Sequence, residues 1–447
     1  MDMNLFMDKL LEAAKAAGIE TAEVYCVSSE NFRAGAMDGE INNYQVSSSK
    51  GLSLRGTVNG RMGYASTQAF DDEAIAQLIE GVKESAALVE AEEQDEIFAG
   101  EAEYPVIPEA ESDLDSVTAE EKLAFCLAME KAAREADPRI VKVQRAMVSS
   151  GKSTLRLKNS YGLDLTDHGG IFTAYVAPLA KDGDATGDGG ALKCAHKFTD
   201  MDANAIAAEA VEESVSQLHG EAVPTGAYRV IMRWDAMGSL LATFSGMFSA
   251  ENAQQKMSLL GGKEGEVIAS EAVTLMDDPL LPGGLATGAF DAEGSACYTK
   301  AVIDKGVLTT LLHSRKTAKK QGVKSTGNAH RAGYSGPVRV SPSNFFFKPG
   351  EKNLAQLMES VSDGLLITDL AGLHSGANPT SGDFSLLAKG FVIENGKRGK
   401  PVQQITVAGN FYQLLKSIRE VGSDLQFPGS SVGSPSVDCG ELNISGK

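Results

Sequence analysis

The 447-residue sequence predicts an α+β protein: a mixed helix-and-strand N-terminal region followed by a strand-rich C-terminal domain. Three observations carry this. Helical and strand periodicities follow one another without the strand–helix alternation of a doubly wound sheet. Capping and hairpin signals recur along the whole chain. A Pro/Gly break, GEAVPTGAY (220–228), divides a chain too long for one ordinary domain. The resulting domains are 1–222 and 223–447, with a sub-boundary near 90–117.

The elements follow in order. Residues 4–17 read as an amphipathic helix with Leu5, Phe6, Leu10, Leu11 and Ala14 on its apolar side. A strand follows in AEVYCVSS (22–29), then Gly-rich alternating segments over 31–67, with Asn59-Gly60 as a two-residue hairpin turn. Asp71 and Asp72 open a helix to about Val89, with Ile75, Leu78, Ile79, Val82 and Ala86 on one face. The acidic stretch 90–114 reads as a surface connection. Thr118 with Glu121 forms a capping box ahead of a helix ended by Asp137-Pro138. Strands run from Arg139 to about His196, turning at 159–162 and 182–190, and the helix in 205–220 closes this half. Its order, helix, strands, helix, occurs twice, which suggests a loose duplication. In the second half, RVIMR (229–233) is a strand and a helix runs from about Asp235 to Ala250. Asp304-Lys305-Gly306 joins two strands, Ser314 and Asn353 cap short helices, and GLLITDLAG (364–372) and GFVIENG (390–396) are strands.

Composition excludes several classes. A net charge of -19 repels phosphate backbones, so direct nucleic-acid binding is not expected. The short run Arg315, Lys316, Lys319 and Lys320 reads as a solvated helix face. No run of about 18 apolar residues suggests a membrane span, and the N-terminus lacks the pattern of a signal peptide. Five scattered cysteines without a CxxC pair fit a reducing cytoplasm. In KDGDATGDGG (181–190), Asp182, Asp184 and Gly187 match three calcium-loop positions. Thr186 and Lys193 spoil the fifth and twelfth, so the segment reads as a solvated loop. There is no GxxxxGK[ST] and no G-x-S-x-G elbow.

One loop stands out. AGLHSGANPTSGD (371–383) sets His374, Ser375, Asn378, Ser381 and Asp383 among glycines between two apolar strands. Gly372, Gly376 and Gly382 let backbone approach a ligand closely. The polar groups are suited to hold an extended peptide main chain. His374, Ser375, Gly376, Asn378, Ser381 and Asp383, with His330, form the candidate peptide cleft; a structural turn is the equal alternative. By contrast, DAMGSLLATFSGMFSAEN (235–252) carries no histidine, and Leu240, Leu241, Phe244, Met247 and Phe248 give it a packing face.

Four stretches together, DAEGSACYTKAVIDKGVLTTLLHSRKTAKKQG (291–322), STGNAHR (325–331), GLHSGANPTSGDFSLLAKGFVIENGK (372–397) and VGSDLQFPGSSVGSPSVDCGELNISG (421–446), resemble the TldD/PmbA family, historically labelled modulators of DNA gyrase. A weaker pattern extends through NSYG (159–162) to the N-terminal helix. The resemblance implies an α+β N-terminal region, a strand-rich C-terminal domain and dimers. It also implies two branches. A TldD-like branch carries HExxxH on the first helix of the C-terminal domain and a later cysteine as zinc ligands. A PmbA-like branch, also called TldE, lacks them and pairs with a TldD-like subunit. Here the motif position falls on Thr243-Phe244-Ser245-Gly246-Met247-Phe248, and the late turn reads Val421-Gly422-Ser423-Asp424. Cys439 lies some fifteen residues beyond that turn, on what reads as the last strand, and no ligand role is carried to it. The resemblance therefore implies a PmbA/TldE-like subunit acting on unfolded peptides, with no cofactor of its own and zinc in a TldD-like partner. A homodimer is the alternative assembly. Two other readings stay open: a self-sufficient hydrolase using His330, His374 and Asp383, and a non-enzymatic peptide-binding protein.

Overall fold

The structure is a computed structural model describing residues 2–89, 95–108 and 112–447. The parts of the acidic connection at 90–94 and 109–111 lie outside the described residues.

The fold is α+β. Helix α1 (Met3–Ala16), capped by Asp2, leads into strands β1 (Thr21–Met37), β2 (Glu40–Val58) and β3 (Arg61–Thr67), then helix α2 (Asp72–Ala87). Helix α3 (Ala119–Glu135) leads into β4 (Ile140–Asn159), β5 (Asp164–Asp182), β6 (Ala185–Asp188) and β7 (Ala191–Ala195), then α4 (Ala203–Ser216). The expected caps form: Asp71 Oδ1 accepts from Ala74 N at 2.8 Å, and the Thr118–Glu121 box is closed on both sides. Asn59 and Gly60 turn the β2–β3 hairpin with φ of 51° and 72°, the left-handed pair such a turn requires.

All seven strands make one sheet, in the order β3-β2-β1-β4-β5-β6 with β7 also on β5. The strand expected over 22–29 is only the start of β1, which runs to Met37 against both β2 and β4. Four strands of 17 to 20 residues make the sheet long enough to carry two separate helical layers. At one end α1 and α2 bury Phe6, Leu10, Leu54 and Val82. At the other α3 and α4 bury Phe172, Met129, Val176 and Ala210.

The 182–190 segment departs from expectation. It is a tight β5–β6 hairpin pressed on α4, not a solvated loop. A Cβ on Gly187 would stand 2.1 Å from Ser214 O, and one on Gly189 2.6 Å from Ser214 N. Gly187 and Gly189 admit that close packing, whereas Gly183, with φ of 59° and nothing within 4 Å, serves the exposed turn at the tip.

The C-terminal part starts with β8 (Gly226–Met232) and α5 (Trp234–Phe244). The helix expected to Ala250 stops at Phe244. A 3-10 turn spans Ser245–Phe248, and α6 (Ala250–Gln254) restarts from the cap Ser249. Ser245 Oγ donates to Ala242 O at 2.9 Å, so the hydroxyl competes for the helix's own carbonyl beside Gly246. There follow β9 (Leu275–Asp277), β10 (Lys300–Asp304), β11 (Val307–Leu308), α7 (Arg315–Gln321), β12 (Ala329–His330), β13 (Arg339–Val340), β14 (Phe345–Phe347) and α8 (Leu354–Val361). The last elements are β15 (Gly364–Ala371), α9 (Leu373–Gly376), β16 (Asp383–Glu394), β17 (Lys397–Asn410), α10 (Phe411–Ser417), β18 (Glu420–Val421), β19 (Val432–Gly433) and β20 (Val437–Ser445). The Asp304-Lys305-Gly306 turn and the Ser314 and Asn353 caps form as the sequence predicts. Strands β17-β16-β15-β8-β20 pair in sequence, and β17 also pairs β20, closing a barrel. α5 plugs it with Met237, Leu240, Leu241 and Phe244, the centre of the largest core.

The two parts meet through buried charge. Arg55 on β2 donates to both oxygens of Glu23 on β1, at 2.8 and 3.1 Å. Arg331, from the C-terminal part, donates to the same carboxylate at 2.9 Å and stacks on Tyr25. All three charged side chains are at most 4% exposed. A second clasp joins α4 to α5: Arg233 contacts Glu213 at 2.6 Å and Asp235 at 2.5 Å. Removing Glu23 leaves Arg331 buried without its anion and Arg55 with only Glu293, at 4.0 Å. Glu23→Ala is therefore expected to cost roughly 3–5 kcal/mol, measured by denaturant unfolding.

Candidate functional site

The segment 243–248, to which the resemblance assigns the motif position, and the glycine-rich loop 371–383 share one piece of core. Thr243 and Phe244 end α5, and Phe248 ends the 3-10 turn. Phe244 is fully buried, stacked on Phe411 at 4.7 Å and tilted against Phe384 at 6.2 Å. Phe411 N donates to Gly382 O at 2.7 Å, so the ring that covers Phe244 also anchors the loop. Leu373 and Ala377 pack on the same core. Phe248, also fully buried, lies against Phe345 at 5.5 Å. Thr243 Oγ1 donates to Ser239 O at 2.9 Å. Two phenyl rings and a hydroxyl tied to the helix do not fit a zinc ion, which needs nitrogen, sulfur or carboxylate donors. Cys439 is buried on β20 with its thiol against Val437 O, and burial drives its pKa far up, so it stays a thiol. Ser423 N is tied to Lys352 O.

Most of the loop's polar groups are spent on the loop itself. Asn378 Oδ1 accepts from Thr380 N and Ser381 N, at 3.0 and 3.2 Å. Ser375 Oγ donates to Gly372 O at 3.3 Å. Asp383 accepts from Ser381 Oγ at 2.7 Å and Asn410 Nδ2 at 2.8 Å, bonds that hold its carboxyl below the usual range. A Cβ on Gly376 would stand 2.4 Å from Ser385 O. That glycine admits the neighbouring strand, not a ligand, and a valine there would displace β16. His374 is exposed, and its ring makes no hydrogen bond among the described residues. Beside the loop, Tyr412 Oη accepts from Leu259 N at 3.1 Å, and Met257 and Leu259 present exposed apolar surface.

His330 lies elsewhere, on the β12–β13 pair. That pair is fastened to α6 by Glu251, which accepts from Arg339 Nη1 at 2.7 Å and Val340 N at 3.2 Å. Among the described residues His330 makes no hydrogen bond with the loop, and Asp383 is bonded to no histidine. The geometry thus gives the His330, His374 and Asp383 triad no support.

Sequence reasoning missed an acidic pair at the junction. Asp291 Oδ1 accepts from Glu293 N and Ser295 N, both at 2.9 Å, and its Oδ2 accepts from Ala329 N at 3.0 Å. Glu293 accepts from Arg315 N at 2.8 Å and faces Arg55 at 4.0 Å. Burial raises both carboxyls, Glu293 to about 7 and Asp291 to about 6, against the pull of Arg55 on the first and of backbone donors on the second. A local signal existed on the other side of the junction: Glu23 and Arg55 each sit in a short, mostly uncharged segment, AEVYCV (22–27) and LSLRGTV (52–58). The basic run on α7 is not merely a solvated face either. Arg315 stacks on Phe98 at 3.7 Å and Lys319 pairs with Glu96, so the run fastens the acidic connection. A second cleft, about 610 Å³, opens between β7, α4 and the Gly283–Leu285 loop, with Cys194, His196 and Glu209 on its wall.

With this geometry in view, comparison with known proteins decides the family. Models of the PmbA/TldA metallopeptidase match the chain in three segments: domain 1 at 22–86, the central domain at 112–218 and the C-terminal domain at 225–446. The chain belongs to the PmbA/TldD family. Metalloprotease PmbA of Escherichia coli O157:H7 is 26% identical over 98% of this chain and 97% of its own length. A Thermotoga maritima crystal structure described as a modulator of a DNA gyrase superposes with a TM-score of 0.93 at 30% identity, covering 99% of this chain and all of that one. TldE of Thermococcus kodakarensis, at 24% identity, shares the fold with a TM-score of 0.90 over 99% of this chain and 100% of its own. The three family segments leave out most of the acidic connection.

Two outcomes are expected. Phe244→Ala and Phe248→Ala should each cost roughly 3–5 kcal/mol in thermal or denaturant unfolding, because closely packed rings surround both. For the acidic pair, the native chain holds more protons than the unfolded chain between the ordinary carboxyl range and about pH 7. The pair's contribution to stability is therefore full at low pH and falls as pH rises through that window. Glu293→Gln should flatten the decline in melting temperature between about pH 5 and about pH 8.

Proposed function

We propose that this chain is a PmbA/TldE-like subunit of a TldD/TldE-type metallopeptidase complex that acts on unfolded peptides, holding no zinc itself and supporting the zinc site of a TldD-like partner. The observation that carries this reading is the pair of buried rings, Phe244 and Phe248, filling the position to which the resemblance assigns the ligands of the peptidase branch. The family's metalloprotease names supply the reaction class. The loop 372–383 supports a role in presenting substrate: Leu373 and Ala377 seat it on the same core, His374 is exposed on it, and the exposed Leu259 is tied by Tyr412 to its Thr380 end. With many of its own hydrogen-bonding groups engaged, the loop acts as a shaped wall, and the His374 ring is an exposed donor or acceptor on it. The net charge of -19 supports peptide over nucleic acid as the direct ligand.

Elemental analysis after gel filtration should find essentially no zinc in the pure chain; about one tightly held zinc per chain would refute the reading. In the complex reconstituted with a TldD-like subunit, His374→Ala should keep the wild-type melt and slow cleavage of an unfolded peptide. Unchanged cleavage would reduce the loop to a structural turn.

A further inference from the structure

Residues 95–104, part of the acidic connection, are fastened to both halves of the molecule. On the N-terminal side Asn159 Nδ2, in the β4–β5 turn, donates to Phe98 O at 2.5 Å. On the C-terminal side Tyr104 Oη donates to Gly294 O at 2.7 Å, Phe98 stacks on Arg315 and Glu96 pairs with Lys319. Leu163 is wedged where the three meet: a Cβ on Gly100 would stand 2.8 Å from its side chain, and one on Gly294 2.9 Å. Ile97 is buried, whereas Glu101, Ala102 and Glu103 face solvent. The segment belongs to no helix or strand. A stretch held by a few side-chain contacts and no backbone ladder is the kind that opens locally while the rest of a fold stays intact.

This segment passes beside the buried acidic pair. Gly294, whose carbonyl holds Tyr104, follows Glu293 in the chain. Arg315, which holds Phe98, gives its backbone N–H to Glu293 at 2.8 Å. Glu293 is 1% exposed, and charged groups face it from each neighbouring element. Arg55 comes from β2 with Glu23 of β1 bonded to it, Asp291 from the same turn, Arg315 from α7, and Asp95 from the segment itself. We propose that residues 95–104 form a strap whose docking across the two halves is set by the charge on Glu293: it closes over the neutral carboxylic acid and is loosened by the carboxylate.

Burial is the main reason, since an ionised Glu293 lacks the water that would solvate it. Asp291 and Asp95 add like-charge repulsion, and Arg55 opposes all three, leaving the carboxyl at about 7. Opening the strap admits water, which returns the group towards its ordinary range and releases the proton. Docking is therefore at full strength below the ordinary carboxyl range and weakens as pH rises to about 7. For one proton, the opening constant grows by up to about ten-fold per pH unit. Neither the peptidase-family reading nor a zinc site enters this inference.

Alkylation of Ile97→Cys by iodoacetamide in the full chain, read at that site by mass spectrometry, reports the opening. Dividing by the rate in the unfolded chain at the same pH removes the reagent's own pH dependence. From about pH 5 to about pH 8 the ratio should rise by about ten-fold or more, and at each pH it should exceed what global unfolding in urea titrations allows. Added to this background, Glu293→Gln should hold the ratio near its low-pH value throughout. Asp95→Asn, a change on the strap and not in the core, should reduce the rise. Tyr104→Phe, which loses the bond to Gly294 O, should raise the ratio at every pH and leave its pH dependence unchanged, separating fastening from titration. A ratio that stays flat across this range, a rise unaltered by either carboxylate variant, or labelling no faster than global unfolding would each overturn the proposal.

Discussion

The most deeply buried contact between the two halves of this molecule is centred on one carboxylate. Glu23 sits on a central strand of the N-terminal sheet, fully removed from water, and is shared by Arg55 from the neighbouring strand and Arg331 from the C-terminal part. Burying such a group is costly unless its lone pairs are filled, and here two guanidinium groups fill them. The arrangement fixes orientation as much as stability. Arg331 reaches Glu23 only where Tyr25, Ala292 and Ala329 close the apolar contact around it. Asp291 and Glu293 extend the charged layer on the C-terminal side, and Arg315 carries it to the connecting segment through Phe98.

The N-terminal sheet explains how so small a contact can orient so large a domain. Its long strands carry one helical layer near each end, and its middle rows are polar. Ser29 hydrogen-bonds Ser49 at 2.9 Å, and Thr154 meets His168 at 3.0 Å, in rows no helix covers. The C-terminal part grips one end of the opposite face, leaving the rest as a hydroxyl-lined surface. Glycines mark the points of closest approach. A Cβ on Gly51 would stand 2.4 Å from the Tyr334 ring, whose own carbonyl accepts from Tyr64 Oη at 2.9 Å.

In the C-terminal domain the barrel and its α5 plug set Thr243–Phe248 on the same core as the glycine-rich loop. Phe244, Phe384 and Phe411 form one stack, and Phe411 is tied to Gly382. A polar ligand set at this position would need water, metal or partner groups within that stack. The phenyl rings need only contact. These rings pack as one apolar unit beside the loop.

The sequence alone determined what local chemistry determines. Capping residues Asp71, Thr118, Ser314 and Asn353, the Asn59-Gly60 and Lys305-Gly306 turns, and the apolar face of α2 all act within a few residues, so each was legible; on α1, Phe6, Leu10 and Ala14 are buried as expected, but Leu5 is exposed and Met7 is buried in its stead. The family was legible too, from stretches whose order survives along the chain. Where α5 stops was less so, because a serine hydroxyl bonding Ala242 O and a glycine decide it against a strong apolar pattern. The roles of Gly187, Gly376 and Asp383 were decided only by tertiary structure. Glycines that admit a ligand and glycines that admit a neighbouring backbone look the same in sequence, and a carboxylate's partner is set by which strand arrives beside it. The Glu23, Arg55 and Arg331 cluster is the clearest case: three charges spread over some three hundred residues, whose burial has meaning only once two sheets and a loop have brought them together.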